Sequence, residues 1–290
     1  MTSIRDAVRA AAGRLREVGI FPGDADAVAL AAKALGVSQA QVRKAMVLGG
    51  EMPSDYERLV EQRLARVPLQ HITGTAGFRG LELSVGPGVF VPRPETEMVA
   101  GLAIDEARWL SDPARGDDLD APCVVDLCSG SGAIAMAVAA EVPYARVIAV
   151  ELDPMAVAWA QRNVSDLESS VELVEGDATV ALPGMEGQVA VVVSNPPYIP
   201  VGMVPLDPEV RDHDPEMALY GGNEDGLAIP LAVARRAAQL LRPGGLLVME
   251  HADTQGQSLP HALGRTGEWT DIADHDDLTG RPRATTARRA

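Results

Sequence analysis

The spacing of apolar residues through residues 1–68 predicts an all-helical module. Apolar positions recur every three or four residues in four separate runs, as they do in helices that bury one face. The runs cover residues 4–18, 25–35, 39–47 and 56–64. Ser38 and Ser54 precede two of these runs and are predicted to be N-caps. Because no cluster of catalytic side chains occurs here, we expect this region to be a folding or docking unit.

The pattern changes to a period of two within residues 69–92, which predicts a β-hairpin. Apolar residues at 81, 83 and 85 alternate with polar ones, and Gly86-Pro87-Gly88 is the predicted turn before Val89-Phe90-Val91. A helix is predicted to open at residues 92–97, where Glu residues favour the first turn, and to reach about Leu110. Residues 111–122 are polar and acidic and are predicted to form a loop.

From Cys123 onward, short apolar runs alternate with helical patterns, which predicts a mainly parallel, doubly wound sheet. The predicted strands cover residues 123–127, 146–151, 171–174, 188–194 and 246–250, and the predicted helices cover 132–141, 154–164 and 225–242. Residues 269–272 and 284–287 are predicted to add a terminal antiparallel pair. The chain is thus predicted to be an α/β protein with a helical domain at 1–68, a hairpin linker at 69–92 and a sheet domain at 93–290.

The segment Asn195-Pro196-Pro197-Tyr198 follows a run of apolar residues at 189–193. Two consecutive prolines remove two backbone donors and fix φ, so the chain must leave the sheet in a rigid direction. An amide side chain, a carbonyl acceptor and an aromatic ring are thereby placed at the carboxyl end of a strand, where open α/β sheets bind ligands. Taken alone, the four residues also fit a simple strand-ending turn.

A cofactor site is predicted at the neighbouring strand ends. Asp126 and the turn Cys128-Ser129-Gly130-Ser131-Gly132 lie between the first strand of the sheet and its helix, and the glycines let backbone approach a ligand closely. Glu151 ends the next strand, where an acid accepts hydrogen bonds from ribose hydroxyls. Asp177 and Ala178 follow the third strand, within reach of an adenine. Because the charge of Asp126 suits a cationic amino acid group better than a pyrophosphate, these residues predict S-adenosylmethionine.

Composition and charge narrow the possible classes of function. The 290 residues are 47% hydrophobic and 23% charged, without a run that could span a bilayer, so a cytoplasmic protein is expected. Cys123 and Cys128 have no histidine near them, and neither a disulfide nor a metal site is expected. Residues 75–290 contain 15 Lys and Arg against 33 Asp and Glu. This excess of acid disfavours a nucleic-acid partner, although a local basic patch stays compatible with it.

Together the motifs resemble the HemK/PrmC family of peptide chain release factor N5-glutamine methyltransferases, which have the Rossmann-like class I fold. The resemblance covers nearly the whole chain and is carried by residues 70–74, 91–97, 126–134, 195–199, 218–222, 225–227, 249–251 and 277–281. It departs from the family pattern at four positions, His71, Cys128, Ala178 and Ala252. The resemblance implies release factors as protein substrates, the glutamine of their Gly-Gly-Gln tip as acceptor, and Phe90 as one wall of the acceptor site.

The residues at 195–198 suit a carboxamide acceptor. An amide nitrogen is a poor nucleophile because its lone pair is delocalised, so the site must hold the NH₂ group with that lone pair facing the methyl donor. Asn195 Oδ1 and the Pro196 carbonyl are the predicted acceptors for the two amide hydrogens, and Pro197 stiffens the turn. Tyr198 is the predicted flat wall, and Asn195 is also expected beside the cofactor. No strong general base is required, since the proton can leave after methyl transfer.

Two rival functions remain open at the level of the sequence. A nucleic-acid methyltransferase acting on adenine N6 or cytosine N4 uses the same Asn-Pro-Pro-Tyr motif, but it needs base flipping and a basic groove. A non-catalytic protein that only binds S-adenosylmethionine would not need Asn195, Pro196 and Tyr198 together.

Overall fold

The computed structural model describes residues 2–111 and 121–290, which form two compact units. The first unit contains the described residues of Met1–Thr75 together with Val85–Pro87 and Pro205–His213. The second contains those of Ala76–Ser84, Gly88–Val204 and Asp214–Ala290. Most of the loop predicted at 111–122 lies outside the described residues. The described residues contain no helix that is both long and apolar enough to cross a bilayer.

The first unit is helical, as its apolar spacing predicted. Its consecutive helices are α1 Ile4–Glu17, α2 Gly23–Leu35, α3 Gln39–Leu48, α4 Asp55–Leu64 and α5 Leu69–Thr73. Ser38 caps α3 through a capping box with Gln41, which confirms that prediction. Ser54 is the N-cap residue of α4, as predicted, but its side chain makes no capping hydrogen bond. Val18 is exposed because α1 ends at Glu17, so Val18 does not continue the apolar face of the helix.

The hairpin is present, but its strands differ from those expected. β1 Thr75–Phe78 pairs with β2 Leu81–Ser84, whereas residues 89–91, the expected return strand, are not in a strand. Arg79 and Gly80 connect β1 and β2 with φ values of 45° and 79°. Positive φ at both central residues is the geometry of a two-residue type I′ turn, which matches the twist of paired strands. Arg is an unusual residue for such a turn, which explains why the spacing pointed instead to the glycines at 86 and 88.

The second unit is built on a seven-stranded sheet. Its strands are β3 Cys123–Leu127, β4 Arg146–Glu151, β5 Glu172–Glu175, β6 Val189–Ser194, β7 Leu241–Glu250, β8 Trp269–Asp276 and β9 Pro282–Arg289. Its helices are α6 Thr96–Leu110, α7 Ala133–Glu141, α8 Pro154–Asp166, α10 Ala228–Leu240 and α11 Ser258–Gly264. The helix α9 Pro208–His213 follows β6 in the chain but belongs to the first unit. The strand order is β5-β4-β3-β6-β7-β9-β8. The first five strands are parallel, and β9 runs antiparallel to both of its neighbours, which confirms the predicted terminal pair.

Helices cover both faces of this sheet, as buried parallel strands require. One apolar cluster joins β-strand residues to α6 and α7, and a second joins them to α10 and α11. Along β6, Val191 and Val193 belong to the first cluster and Val192 to the second, which is the alternation of a strand buried on both sides. The chain passes from β5 at one edge to β6 on the other side of β3. This reversal creates a topological switch point between β3 and β6, where ligands bind in open α/β sheets.

Candidate active site

The predicted site residues follow strands whose carboxyl ends lie at one edge of the sheet. In the sheet register, Leu127 of β3 pairs with both Val150 of β4 and Ser194 of β6. Ser194 in turn pairs with Met249 of β7. Because neighbouring strands lie about 4.8 Å apart, the four strand ends from β5 to β6 span about 14 Å. An extended ligand of that length can lie across this edge and touch the residue that follows each strand.

The turn after β3 is a glycine turn in which backbone groups are exposed to a ligand. Gly130 and Gly132 have φ values of 56° and 81°, and a Cβ added to Gly130 would meet no atom within 4 Å. Cys128 has φ 64°, a conformation that favours glycine, although it carries a half-buried side chain. Burial raises the pKa of the Cys128 thiol well above its ordinary range, so the thiol stays protonated.

Asp126 lies beneath this turn and is fully buried. Its Oδ2 accepts a hydrogen bond from the Ala135 N–H, 3.1 Å away, in the first turn of α7. Its Oδ1 is buried and has no hydrogen-bond partner. Burial raises the pKa of Asp126 to about 8, since the Ala135 bond offsets only part of the desolvation and Glu151 adds repulsion. Asp126 therefore binds α7 through one oxygen and leaves the other without a hydrogen-bond partner.

Glu151, at the end of β4, is bound to the glycine turn. Its Oε2 accepts from the Gly130 N–H at 2.7 Å, and its Oε1 accepts from the N–H groups of Leu152 and Asp153 at 2.8 and 2.9 Å. Three backbone donors thus fix a half-buried carboxylate next to the turn. A carboxylate has about four acceptor sites, so one remains for a ligand hydroxyl.

The residues after β5 take two different orientations. Asp177 is exposed, and its Oδ1 accepts from the N–H and the hydroxyl of Thr179 at 2.8 and 2.7 Å. Ala178 is 7% exposed and packs in the apolar cluster under α10 and α11. Asp177 presents a polar group at the sheet edge, whereas the Ala178 methyl group belongs to the floor beneath it.

Asn195, Pro196, Pro197 and Tyr198, which we call the Asn195 turn, follow β6 directly. The Asn195 Nδ2 donates to the Thr96 hydroxyl at 3.5 Å, and both prolines are buried. Just before the turn, the Ser194 hydroxyl donates to the Leu127 carbonyl at 2.6 Å, which binds the exit of β6 to that of β3. The two turns that leave the switch point are therefore held side by side.

Tyr198 is fixed at its ring and at its backbone. Its hydroxyl donates to Glu250 Oε1 at 3.3 Å, and its carbonyl accepts from Gln255 Nε2 at 3.0 Å. Burial raises the pKa of the Tyr198 phenol well above its ordinary range, so it stays a neutral donor. Behind the turn, a Cβ added to Gly226 would lie 2.1 Å from the Tyr198 carbonyl oxygen. Only glycine fits at that approach, which explains the Asp225-Gly226-Leu227 motif.

Phe90 is half-buried in the segment after β2. The Arg93 guanidinium carbon lies 5.1 Å from the centroid of its ring, a cation–π distance. Arg93 also donates to Asp214 Oδ2 at 2.8 Å and is close enough to Tyr198 to lower the pKa of the phenol. Arg93 thus contacts the ring of Phe90 and acts electrostatically on the phenol of Tyr198.

Two residues without a predicted role, Thr96 and Glu250, belong to this site. Thr96 accepts from Asn195, and Glu250 accepts from Tyr198. Both lie in segments that carried the family resemblance. Glu250 could have been found by the rule that singled out Glu151, because it is an acid at the carboxyl end of the strand next to β6.

Comparison with known families finds proteins that are similar to this chain. The PrmC N-terminal domain model matches residues 6–74, and the methyltransferase small domain model matches residues 117–203. The release factor glutamine methyltransferase of Streptomyces coelicolor is 51% identical over 98% of this chain and 97% of that protein. The protein of the same name from Bifidobacterium longum is 44% identical over 97% of both chains.

A relative with another named activity is also similar to this chain. The 4-amino-L-phenylalanine/4-methylamino-L-phenylalanine methyltransferase of Streptomyces pristinaespiralis is 41% identical over 92% of this chain and 89% of that protein. Among solved structures, a methyltransferase from Pyrococcus furiosus covers 79% of this chain and 98% of that chain, with 20% identity and a TM-score of 0.52. That likeness confirms the predicted Rossmann-like methyltransferase fold.

Proposed function

The chain belongs to the family of release factor glutamine methyltransferases, and we propose that it transfers a methyl group from S-adenosylmethionine to the N5 amide nitrogen of the Gly-Gly-Gln glutamine in peptide chain release factors. One observation carries this proposal. The Asn195 turn and the glycine turn leave adjacent strands at the switch point, where Leu127 pairs with Ser194. A donor held by one turn and an amide held by the other would meet about one strand spacing apart.

The residues along the sheet edge fit S-adenosylmethionine. When bound, this cofactor supplies an electrophilic methyl group on a sulfonium centre. Asp126 Oδ1 and Ser129 Oγ are buried polar atoms without a hydrogen-bond partner, and an ammonium and carboxylate ligand would satisfy them. Glu151 is placed for the ribose hydroxyls, and Asp177 with Ala178 for the adenine. The backbone of residues 128–132, with Ser131 buried between the two glycines, would line the amino acid part.

The Asn195 turn would bind the acceptor amide and orient it. Asn195 Oδ1 and the Pro196 carbonyl accept the two N–H groups, while the ring of Tyr198 and, on the other side, that of Phe90 confine the amide plane. The amide nitrogen forms the new bond to the methyl carbon as the carbon–sulfur bond breaks, and the electron pair of that bond stays on sulfur. The two carbonyl acceptors stabilise the positive charge that develops on nitrogen, and the extra proton then passes to water.

The rest of the chain supports the same function in separate roles. We propose that residues 1–68, within the stretch that matches the PrmC N-terminal domain, dock the release factor. Residues 69–92 would serve as the linker, and residues 93–290 as the methyltransferase domain. Since release factors act in translation, we propose a cytoplasmic location, with no direct binding of nucleic acid.

A second candidate acceptor is favoured by the Streptomyces pristinaespiralis relative, which is named for an aromatic amine. An arylamine is planar and carries an NH₂ group, so the same two acceptors and aromatic walls would suit it. The amino groups of adenine and cytosine share these features, but the acidity of residues 75–290 weighs against nucleic acid.

The test is a transfer assay with S-adenosylmethionine labelled in its methyl group. The acceptors are a release factor, its variant with the Gly-Gly-Gln glutamine changed to alanine, 4-amino-L-phenylalanine and nucleic acid. We expect label only in the unaltered release factor. Label in the amine or in nucleic acid, with none in the release factor, would show that the proposed substrate is wrong.

The same assay tests the roles of Asn195 and Glu151. We expect Asn195→Ala to lower kcat by about a hundredfold or more while S-adenosylmethionine affinity stays within about threefold, because Asn195 mainly binds the acceptor. Glu151→Ala should first weaken cofactor binding, measured by calorimetry. If Asn195→Ala lost most of its cofactor affinity, the assigned roles would have to be exchanged.

A further inference from the structure

Glu250 is a buried acid that the transfer step described above does not use. It ends β7, beside the exit of β6, and is 2% exposed. Its Oε1 accepts from the Tyr198 hydroxyl, and its Oε2 is buried without a hydrogen-bond partner of its own. Burying a carboxylate oxygen in this way is costly unless its charge is paired or hydrogen-bonded.

The Thr96 hydroxyl contacts Asn195 and lies near Glu250. Thr96 is 4% exposed, accepts from Asn195 Nδ2 at 3.5 Å, and lies close enough to Glu250 to lower the pKa of that carboxyl. A hydroxyl has one hydrogen, and an ionised carboxylate can only accept. If Thr96 turns its one hydrogen to the ionised Glu250, it can offer Asn195 only a lone pair. Asn195 must then turn its NH₂ group to Thr96 and its Oδ1 to the opposite side.

We propose that Glu250 is a positioning residue that, through the Thr96 hydroxyl, sets which way the Asn195 side-chain amide points. The inference rests on the proposed function, in which Asn195 Oδ1 accepts from the substrate amide. The same carboxylate holds Tyr198, so one charge orients both the acceptor and the wall of the Asn195 turn. If Glu250 could donate instead, Thr96 could donate to Asn195 Oδ1 and the amide would be free to flip.

The C-terminal motif at residues 277–281 holds Arg283, whose charge favours the ionised form of Glu250. Asp277 accepts from the N–H and hydroxyl of Thr279 at 2.8 and 2.6 Å, which closes a tight turn. The second oxygen of Asp277 accepts from Arg283 at 3.4 Å, and the guanidinium of Arg283 lowers the pKa of Glu250. The turn thereby holds a cation beside a buried carboxylate, a function not evident from its sequence.

The charge state of Glu250 depends on groups from three elements packed around it. Burial raises the pKa of Glu250 to about 7, with Glu95 at the start of α6 adding repulsion, whereas Thr96, Arg283 on β9 and Tyr198 after β6 oppose the rise. Glu250 accordingly gains its proton as the pH falls through neutrality, and a protonated carboxyl can donate to Thr96.

The test compares kcat for release factor methylation in single and double variants. We expect Glu250→Gln, which keeps the shape and adds a donor, to lower kcat by about tenfold or more, with S-adenosylmethionine affinity within about threefold. Thr96→Val should cause a similar loss, and Thr96→Ser should restore most of it. Both residues are proposed to act through one connection, so their effects should not multiply. The kcat of the double variant Glu250→Gln with Thr96→Val should lie within about twofold of that of the slower single variant.

The matched control is Glu106→Gln. Glu106 is a half-buried acid that is also paired with an arginine of β9, Arg288, at 2.6 Å, but towards the opposite end of the strand. The kcat of Glu106→Gln should stay within about twofold of the wild-type value. A wild-type kcat in Glu250→Gln, or losses that multiply in the double variant, would overturn the inference. A release factor that the wild-type protein does not label would overturn the proposed function instead.

The pH profile of the wild-type protein gives a second measurement, and Thr96→Val provides its comparison. We expect kcat of the wild-type protein to fall as the pH drops through about 7, and to be flatter over that range in Thr96→Val, which lacks the connection. A wild-type kcat that is constant from about pH 6 to 8.5 would also overturn the inference.

Discussion

At the scale of single residues, Cys128 shows a conflict between side chain and backbone. Its φ of 64° lies in the left-handed region, where a non-glycine residue is strained by about 1–2 kcal/mol. Cys128 is one of the four departures from the family pattern, and its backbone conformation is one that favours glycine. The half-buried sulfur of Cys128 packs against the apolar cluster under α10 and α11, so the cysteine also makes a favourable contact.

We expect Cys128→Gly to raise the free energy of unfolding by about 0.5–1 kcal/mol, since relief of strain exceeds the added entropy of the unfolded chain. Cys128→Ala should be less stable than the wild type, because it keeps the strained Cβ and loses the thiol contact. Urea denaturation of the three proteins checks the order Gly, Cys, Ala. An alanine variant as stable as the glycine variant would contradict the strain.

Buried acids make the stability of the protein depend on pH in an unusual direction. Burial raises the pKa of Asp126 to about 8 and that of Glu250 to about 7. Between about pH 5 and 7 the folded chain keeps these two protons while the unfolded chain has lost them. Each group therefore lowers the free energy of unfolding as the pH rises, by up to about 1.4 kcal/mol per pH unit.

We expect the urea midpoint of the cofactor-free protein to decrease as the pH is raised from 5 to 7, because of these two groups. In Asp126→Asn the midpoint should decrease less steeply. Asp277 gives the opposite sign at lower pH. Its pKa is held at about 2, first by the Thr279 hydroxyl, so its contribution is lost as the pH falls from about 4 to 2. Equal slopes for the wild type and Asp126→Asn above pH 5 would show that Asp126 is ionised in the folded state.

At the scale of elements, the Asn195 turn is shaped by the segment packed behind it. Gly226 has φ 72°, and a Cβ there would lie 2.1 Å from the Tyr198 carbonyl oxygen and 2.9 Å from the Pro200 nitrogen. Gly187 offers a matched comparison, because its φ is 71° and its added Cβ would meet nothing within 4 Å. Both glycines carry the same backbone penalty, and only one carries the close approach.

We expect Gly187→Ala to lose about 1 kcal/mol of stability and to retain its activity. Gly226→Ala should lose about 3 kcal/mol or more, or else displace Tyr198 and lower kcat by about tenfold. Thermal unfolding and the methylation assay measure the two effects. If both variants behaved alike, the contact between Gly226 and Tyr198 would not shape the turn.

The elements that the sequence predicted well are those set by a local apolar period. The helices of residues 4–64 and the strands β3 to β6 lie within a few residues of the expected bounds, because burial of one face or of both faces leaves a clear pattern. β7 begins earlier than expected, at Leu241, which pairs with Val189 before a bulge. The hairpin partner was missed because its turn depends on a positive φ at Arg79, which composition does not reveal.

The site was predictable only where a residue follows a strand. Glu151, Asp177 and Asn195 each come directly after an apolar run, so their convergence followed from parallel pairing. The hydrogen bonds from Asn195 to Thr96 and from Tyr198 to Glu250 join three distant parts of the chain. No spacing rule contains a hydrogen bond between the start of one helix and the ends of two strands.

At the scale of the whole molecule, each unit is held together by contacts between distant parts of the sequence. In the first unit, Arg63 of α4 donates to Asp26 of α2 at 2.6 Å and lies 2.8 Å from Glu209 of α9. The Arg63 side chain is 7% exposed, and those of Asp26 and Glu209 are 11% and 19% exposed. One buried guanidinium thus joins the N-terminal helices to a segment that follows the Asn195 turn in sequence.

Removing one partner of a buried charge cluster is far more costly than removing an exposed pair, because the remaining charges stay in the interior without compensation. We expect Arg63→Met to lower the free energy of unfolding by about 3–5 kcal/mol. Arg58→Met is the control in the same helix, since Arg58 pairs with Asp55 at the surface and should change stability by less than about 0.5 kcal/mol. At a temperature where both variants are folded, their S-adenosylmethionine affinity should remain within about twofold of the wild-type value. The reason is that the residues assigned to the cofactor belong to the second unit. Denaturant titration measures the stability, and calorimetry measures the cofactor affinity. If Arg63→Met lost no more stability than the control, Asp26 and Glu209 would have to find other partners.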